Sequence, residues 1–227
     1  MKGRRNSSRR KPAADRGGSV SVENAIVFGL LIVLTIALIE FSLALWQWNT
    51  AEKATELGVR YAVQSDPVAA DFREYNAVTQ GVGYNAGTNL DEATMPPFTV
   101  TCNGTTCWRS AGTLPGGFST THDIAAFNEI RTRMDGVFRG VDLQVDNIEI
   151  DYSHVGMGFA GRPGPDIVPV VTVRLTGVTF DFMILSFIRP LMFYGSVQPT
   201  SSGFPMPPFT ATLSGEDMYS KGTPPQL

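Results

Sequence analysis

The fold is decided by residues 18–48, GSVSVENAIVFGLLIVLTIALIEFSLALWQW, where a short polar start leads into a long apolar run. Residues 25–39 carry no charge, and Glu40 is the one ionisable residue in the remainder of the run. A helix over residues 25–48 is about 36 Å long, enough to cross a hydrocarbon core of roughly 30 Å. Apolar residues occupy every face of that helix, as expected for a helix surrounded by lipid. The sequence therefore predicts a single transmembrane helix over about residues 25–48.

A basic leader precedes the apolar run. Residues 1–18 carry seven lysine and arginine residues against one acid, whereas only Lys53 and Arg60 follow closely on the far side. The positive-inside rule then places the leader in the cytoplasm and the C-terminal part of the chain across the membrane. The run is too long for a secretory signal peptide, and no small-residue cleavage site follows it, so it is predicted to be retained.

Two acids in this region need separate explanations, because a charge near the membrane centre costs roughly 2.5 to 3.5 kcal/mol on insertion scales. Glu23 stands at the start of the predicted helix, where the helix dipole favours a carboxylate and Ser19 or Ser21 can serve as the N-cap. Glu40 has two interpretations that the sequence leaves open. Its carboxylate either reaches outward to the interface or makes an intramembrane contact with a partner helix.

The arrangement around Glu23 resembles a known processing site. A basic leader that ends in Gly18, followed by four residues and then Glu23 at the start of an apolar helix, resembles the prepilin-peptidase site of type IV pilins. Residues 22–67 further resemble the N-terminal region of TadE-like proteins, the minor pseudopilins of the tight-adherence (Flp) pilus machinery. The landmarks of this resemblance are Glu40-Phe41, Trp46, Arg60-Tyr61-Ala62 and, near the C-terminus, the PFTATLS stretch over residues 208–214. Asn24 departs from the Tad pilin motif, which usually has tyrosine or phenylalanine after the glutamate.

The resemblance implies a specific role. Prepilin peptidase would cleave between Gly18 and Ser19, and Glu23 would pair with the freed amine of a neighbouring subunit, which offsets the burial of both charges. The chain would then be a minor pseudopilin of the bacterial inner membrane that assembles a Tad/Flp-type adhesive pilus with other pilins or pseudopilins. The alternative is an unprocessed, membrane-anchored extracytoplasmic binding or adhesin module.

The predicted helix continues beyond the membrane. Small and apolar residues recur at three- and four-residue spacing from Ala51 to Ala62, a stripe that allows close packing of another element. Pro67 ends the helix near Ser65. The chain is thus divided into a leader over residues 1–18, a long helix over residues 19–65 and an extracytoplasmic domain over residues 66–227.

The extracytoplasmic part is predicted to be one α+β domain with an antiparallel sheet of four or five strands. The predicted strands cover residues 98–102, 143–152, 168–178 and 209–214, with an amphipathic helix over residues 123–137. Cys102 and Cys107 flank an Asn-Gly turn and are predicted to form a disulfide on the oxidising side of the membrane. The apolar stretch over residues 184–194 is either a buried edge or an exposed patch.

Catalysis is not expected from this sequence. It contains no phosphate-binding glycine loop, nucleophile elbow or H-E-x-x-H motif, and its two histidines, His122 and His154, are expected to lie exposed in loops. No cofactor or metal site is predicted. Beyond the leader the chain carries 11 basic and 20 acidic residues, a balance that disfavours nucleic acid as a partner.

Overall fold

The computed structural model describes residues 16–81, 83–138, 143–182 and 203–215, together with Met218. Most of the basic leader and the apolar stretch over residues 184–194 lie outside the described residues. The described part has the predicted α+β architecture, in which a long N-terminal helix is followed by an antiparallel sheet.

Helix α1 extends over Arg16–Ala62, a length of 47 residues. It ends three residues before the predicted Ser65, because the chain tightens after Ala62. The Val63 amide still makes an α-helical hydrogen bond to the carbonyl of Val59 (3.0 Å), and the tighter three-residue bond follows, in which the Gln64 amide donates to the carbonyl of Tyr61 (3.1 Å). The chain can therefore turn back toward the domain before Pro67.

Five strands form the main sheet in the order β2-β1-β3-β4-β7, and every neighbouring pair is antiparallel. They are β1 (Phe98–Cys102), β2 (Cys107–Gly112), β3 (Ile148–His154), β4 (Val170–Leu175) and β7 (Phe209–Ser214). A separate two-stranded sheet pairs β5 (Thr179–Asp181) with β6 (Gly203–Pro205). The helices beyond α1 are α2 (Asp71–Glu74) and α3 (Ile124–Val137). The strand predicted over residues 168–178 is split, since Gly177 at φ +67° turns the chain between β4 and β5.

The two faces of the main sheet differ in polarity. Its inner face is buried, with Val100, Tyr152 and Val171 side by side in register. On the outer face the Thr101 hydroxyl donates to the carboxylate of Asp151 at 2.6 Å. This alternation follows from the two-residue period of strands and fixes the register of the sheet.

The segment after α1 is tied to the rest of the domain through polar groups. The hydroxyl of Tyr152 accepts a hydrogen bond from the Val68 amide at 3.0 Å. Asp71 accepts hydrogen bonds from Ser119 and Thr121. Burial alone would raise the pKa of Asp71, but these hydrogen bonds outweigh it and lower the pKa below its ordinary value. The long irregular segment between α1 and β1 is therefore held to the domain.

Cys102 and Cys107 form the predicted disulfide across the β1–β2 turn. Asn103 shapes this turn, because its side-chain oxygen accepts hydrogen bonds from the amides of Thr105 and Thr106, both at 2.9 Å. Both cysteines are buried. The cross-link therefore closes the end of the hairpin against the domain.

His154, at the end of β3, differs from the sequence-based expectation. It is 1% exposed, and its ring centroid lies 5.5 Å from that of Phe98. Burial lowers the pKa of His154 because the charged ring would lose its hydration, and the neighbouring backbone of Met95 and Leu90 offsets only part of this effect. The ring is therefore held in its neutral form.

Acid is expected to destabilise the fold through His154. Above a pH of about 6.5 the ring is neutral in both folded and unfolded chains. As the pH falls below that value, the unfolded chain binds a proton that the buried ring does not, so the free energy of unfolding decreases. The change His154→Phe should remove this loss, up to about 2 kcal/mol between pH 7.5 and 5. Urea unfolding of the full chain in detergent, followed by tryptophan fluorescence, measures it; the same pH dependence in both proteins would contradict the assignment.

Candidate functional site

The first half of α1 is a free apolar surface. Among the described residues, α1 is the one helix long and apolar enough to cross a membrane. Large apolar side chains from Val20 to Leu45 are exposed around the helix, including Ile26 and Leu30. A helix that is apolar on all sides and uncovered by the described part of its chain is suited to lipid or to other helices.

The predicted processing junction lies in the first turns of this helix. Gly18 and Ser19 are both within α1, because the helix begins at Arg16. Glycine costs about 1 kcal/mol relative to alanine in a helix, so the Gly17-Gly18 pair makes this turn the easiest part of the helix to open. Glu23 follows one turn after Ser19 and is exposed. The described chain therefore leaves Glu23 accessible.

Glu40 is in a different environment from Glu23, although the two lie on one helix about 26 Å apart. Glu40 is 3% exposed, whereas its neighbours Ile39 and Phe41 are exposed. Other parts of the same chain bury the Glu40 side chain. A carboxylate that reached outward to the interface would instead be exposed. An intramembrane contact of Glu40 with a partner helix stays a prediction.

A groove lies between this part of α1 and the β5–β6 sheet. It encloses about 480 Å³, and apart from Glu40 every side chain that lines it is apolar. Its aromatic residues include Phe180 and Phe182, whose ring centroids are 5.0 Å apart in an edge-on arrangement. This element was not predicted from the sequence, because β5 and β6 are three residues each and residues 199–208 have the composition of a loop. The alternation of Phe180 and Phe182 was the one signal available.

The second half of α1 carries the extracytoplasmic domain. Ala51, Ala54 and Ala62 are fully buried, which agrees with the small-residue stripe predicted from the sequence. A Cβ added at Gly58 would lie 2.6 Å from the sulfur of Met134, so α3 packs against α1 at closer range than any larger residue allows. The small residues thus set how near the domain approaches the helix.

Polar contacts fix α3 beside α1 at the same place. The hydroxyl of Tyr61 donates to the carboxylate of Glu129 at 2.8 Å, and the guanidinium of Arg133 lies 5.2 Å above the Tyr61 ring. The hydrogen bond to Glu129 raises the pKa of Tyr61, since it favours the protonated phenol. The two helices therefore form one unit that connects the apolar half of α1 to the sheet.

These features define the class of protein. The chain is an α+β protein in which one candidate membrane-spanning helix continues under an antiparallel sheet, as in a single-pass membrane protein. The TadE-like protein family matches residues 18–60, so the TadE-like resemblance is confirmed over that stretch. This match points to a protein associated with the Tad pilus. No curated protein and no solved structure matches the chain.

Proposed function

We propose that the chain is a minor pseudopilin that takes part in the assembly of a Tad/Flp-type adhesive pilus. Its N-terminus lies in the cytoplasm, its domain lies on the periplasmic side of the bacterial inner membrane, and it acts without catalysis. The observation that carries this proposal is the TadE-like match over residues 18–60, which contains the Gly18-Ser19 junction and Glu23.

The form of α1 supports this role. Its first half leaves apolar side chains uncovered in the described chain, while one face of its second half is buried beneath the domain. A subunit that assembles through its helix needs such a division, because the exposed half must exchange lipid contacts for helix contacts. Close helix association in lipid depends on packing and on polar groups between helices.

The proposed partners follow from the junction and from Glu23. Prepilin peptidase removes residues 1–18 and leaves a positively charged amine at Ser19. In the assembled bundle Glu23 pairs with the amine of a neighbouring pilin or pseudopilin, so each charge compensates the other. The unprocessed adhesin module would lack this amine and could not form the pair.

The N-terminus of the mature protein tests the proposal. We expect the protein purified from membranes of its host to begin at Ser19, as determined by mass spectrometry of the intact chain. The matched control is Gly18→Arg, which places a large charged residue at the cleavage position and should retain residues 1–18. A wild-type chain that retains the leader while the peptidase is active would favour the unprocessed module.

A further inference from the structure

The groove between α1 and the β5–β6 sheet has an exposed aromatic rim. Phe204 lines the groove and is nevertheless 61% exposed, while Phe180, its partner in the β5–β6 register, is buried. On the helix side Phe41 and Leu45 also line the groove and are exposed. The groove is therefore a continuation of the free apolar surface of α1.

The position of the groove along α1 determines how deep in the membrane the groove lies. The helix residues that line it run from Ala37 to Trp48. If the membrane span begins directly after Glu23, roughly twenty residues of helix cross the hydrocarbon core and reach the region of Ala44. Most of the groove then lies at the depth of the outer leaflet. Trp48 lies at its outer end and packs edge-on against Phe209 with ring centroids 5.1 Å apart.

A two-stranded sheet such as β5–β6 is poorly suited to the centre of the bilayer. A two-stranded sheet has unpaired backbone groups along both edges, and each such group costs several kcal/mol in hydrocarbon. The boundary between headgroups and acyl chains supplies water and polar partners for these edges. Aromatic side chains also favour this boundary, as the belts of membrane proteins show.

We propose that the β5–β6 sheet is a second membrane-contacting element, seated in the outer leaflet at the boundary between headgroups and acyl chains. Lipid acyl chains occupy the groove and contact Phe204. The extracytoplasmic domain thus rests directly on the membrane. This inference depends on α1 crossing the bilayer and not on any role in pilus assembly.

Spin-label accessibility in liposomes tests this placement. The full chain has two cysteines, both in the disulfide, so the change Phe204→Cys creates a unique free thiol. The labelled protein is reconstituted in phosphatidylethanolamine and phosphatidylglycerol, and collisions with oxygen and with a water-soluble nickel chelate are compared. We expect the label at position 204 to collide more often with oxygen than with nickel, because oxygen concentrates in the acyl region.

Two reference positions calibrate the measurement. Leu34→Cys reports the middle of the span. Phe159→Cys reports a position in water, because Phe159 is 53% exposed and follows the His154 end of β3. That end of the sheet is opposite the end at which Phe209 lies. The ratio of oxygen to nickel collisions at position 204 should lie nearer that of position 34 than that of position 159. Pro205→Cys, the next exposed residue of β6, repeats the measurement if the first variant alters the fold.

Three results would overturn the placement. A label at position 204 as accessible to nickel as the one at position 159 would place the sheet in water. A label shielded from both reagents would show that protein, such as the helix of a second subunit, fills the groove in place of lipid. A label at position 34 accessible to nickel would show that α1 does not cross the bilayer, and the sheet would then have no leaflet to contact.

Discussion

Cells whose only copy carries Glu23→Ala should have no surface pili, although the protein still inserts in the membrane at its normal level. Insertion depends on the apolar run that follows Glu23, and removing a charge from the start of that run does not weaken it. Assembly is different, because the variant leaves the amine of a neighbouring Ser19 without its partner. Breaking one partner of a buried ion pair costs about 3 to 5 kcal/mol, a factor of roughly 100 to 1,000 or more in the contact equilibrium.

The measurement combines electron microscopy of surface pili with immunoblots of the membrane fraction. Glu52→Ala is the matched control, because Glu52 is an exposed glutamate of the same helix outside the predicted span, and it should leave piliation unchanged. The N-terminus of the Glu23 variant must also be determined, since a chain that begins at Ser19 separates failed assembly from failed cleavage. Normal numbers of pili on cells with the Glu23 variant would contradict the proposed pairing of Glu23 with the amine of Ser19.

The features that could be predicted from the sequence are those that depend on residues close to one another along the chain. The length of α1, its small-residue face and the disulfide each rest on a local pattern: an uncharged run, a three- and four-residue spacing, and two cysteines around an Asn-Gly turn. Main-sheet strands β1 and β7 were also predictable, because FTVTC and FTATLS alternate over five residues or more. Such patterns are set by the period of the element itself.

The surroundings of two of the buried ionisable side chains, Glu40 and His154, could not be predicted. Glu40 lines the same groove as Phe204, which lies 164 positions further along the chain in a stretch with loop composition. His154 is buried at the end of its strand, next to the backbone of Leu90 and Met95 from a distant irregular segment. In both cases the burial arises from long-range packing of segments that have no periodic pattern. Local sequence therefore shows the charge but not its environment.

A larger residue at Gly58, where α1 contacts Met134, should lower the stability of the folded protein. Gly58→Leu places a branched side chain where a Cβ alone would already lie 2.6 Å from the Met134 sulfur and 2.9 Å from its Cγ. Overpacking of this kind costs about 1 to 3 kcal/mol or more, which exceeds the gain of about 1 kcal/mol from removing a helical glycine. Urea unfolding of the full chain in detergent should show the loss, whereas Lys53→Leu, at an exposed position of the same helix, should change stability little.

A double variant distinguishes this contact from a general weakening of α1. Met134 is fully buried, so Met134→Ala alone should cost about 2 to 5 kcal/mol. In the double variant the leucine at position 58 fills the space left by the methionine, and the combined loss should be smaller than the sum by about 1 kcal/mol or more. Additive losses would mean that the two positions do not share one packing site. The Tyr61–Glu129 hydrogen bond would then be the next contact to test, and Tyr61→Phe should lower stability by about 1 to 3 kcal/mol.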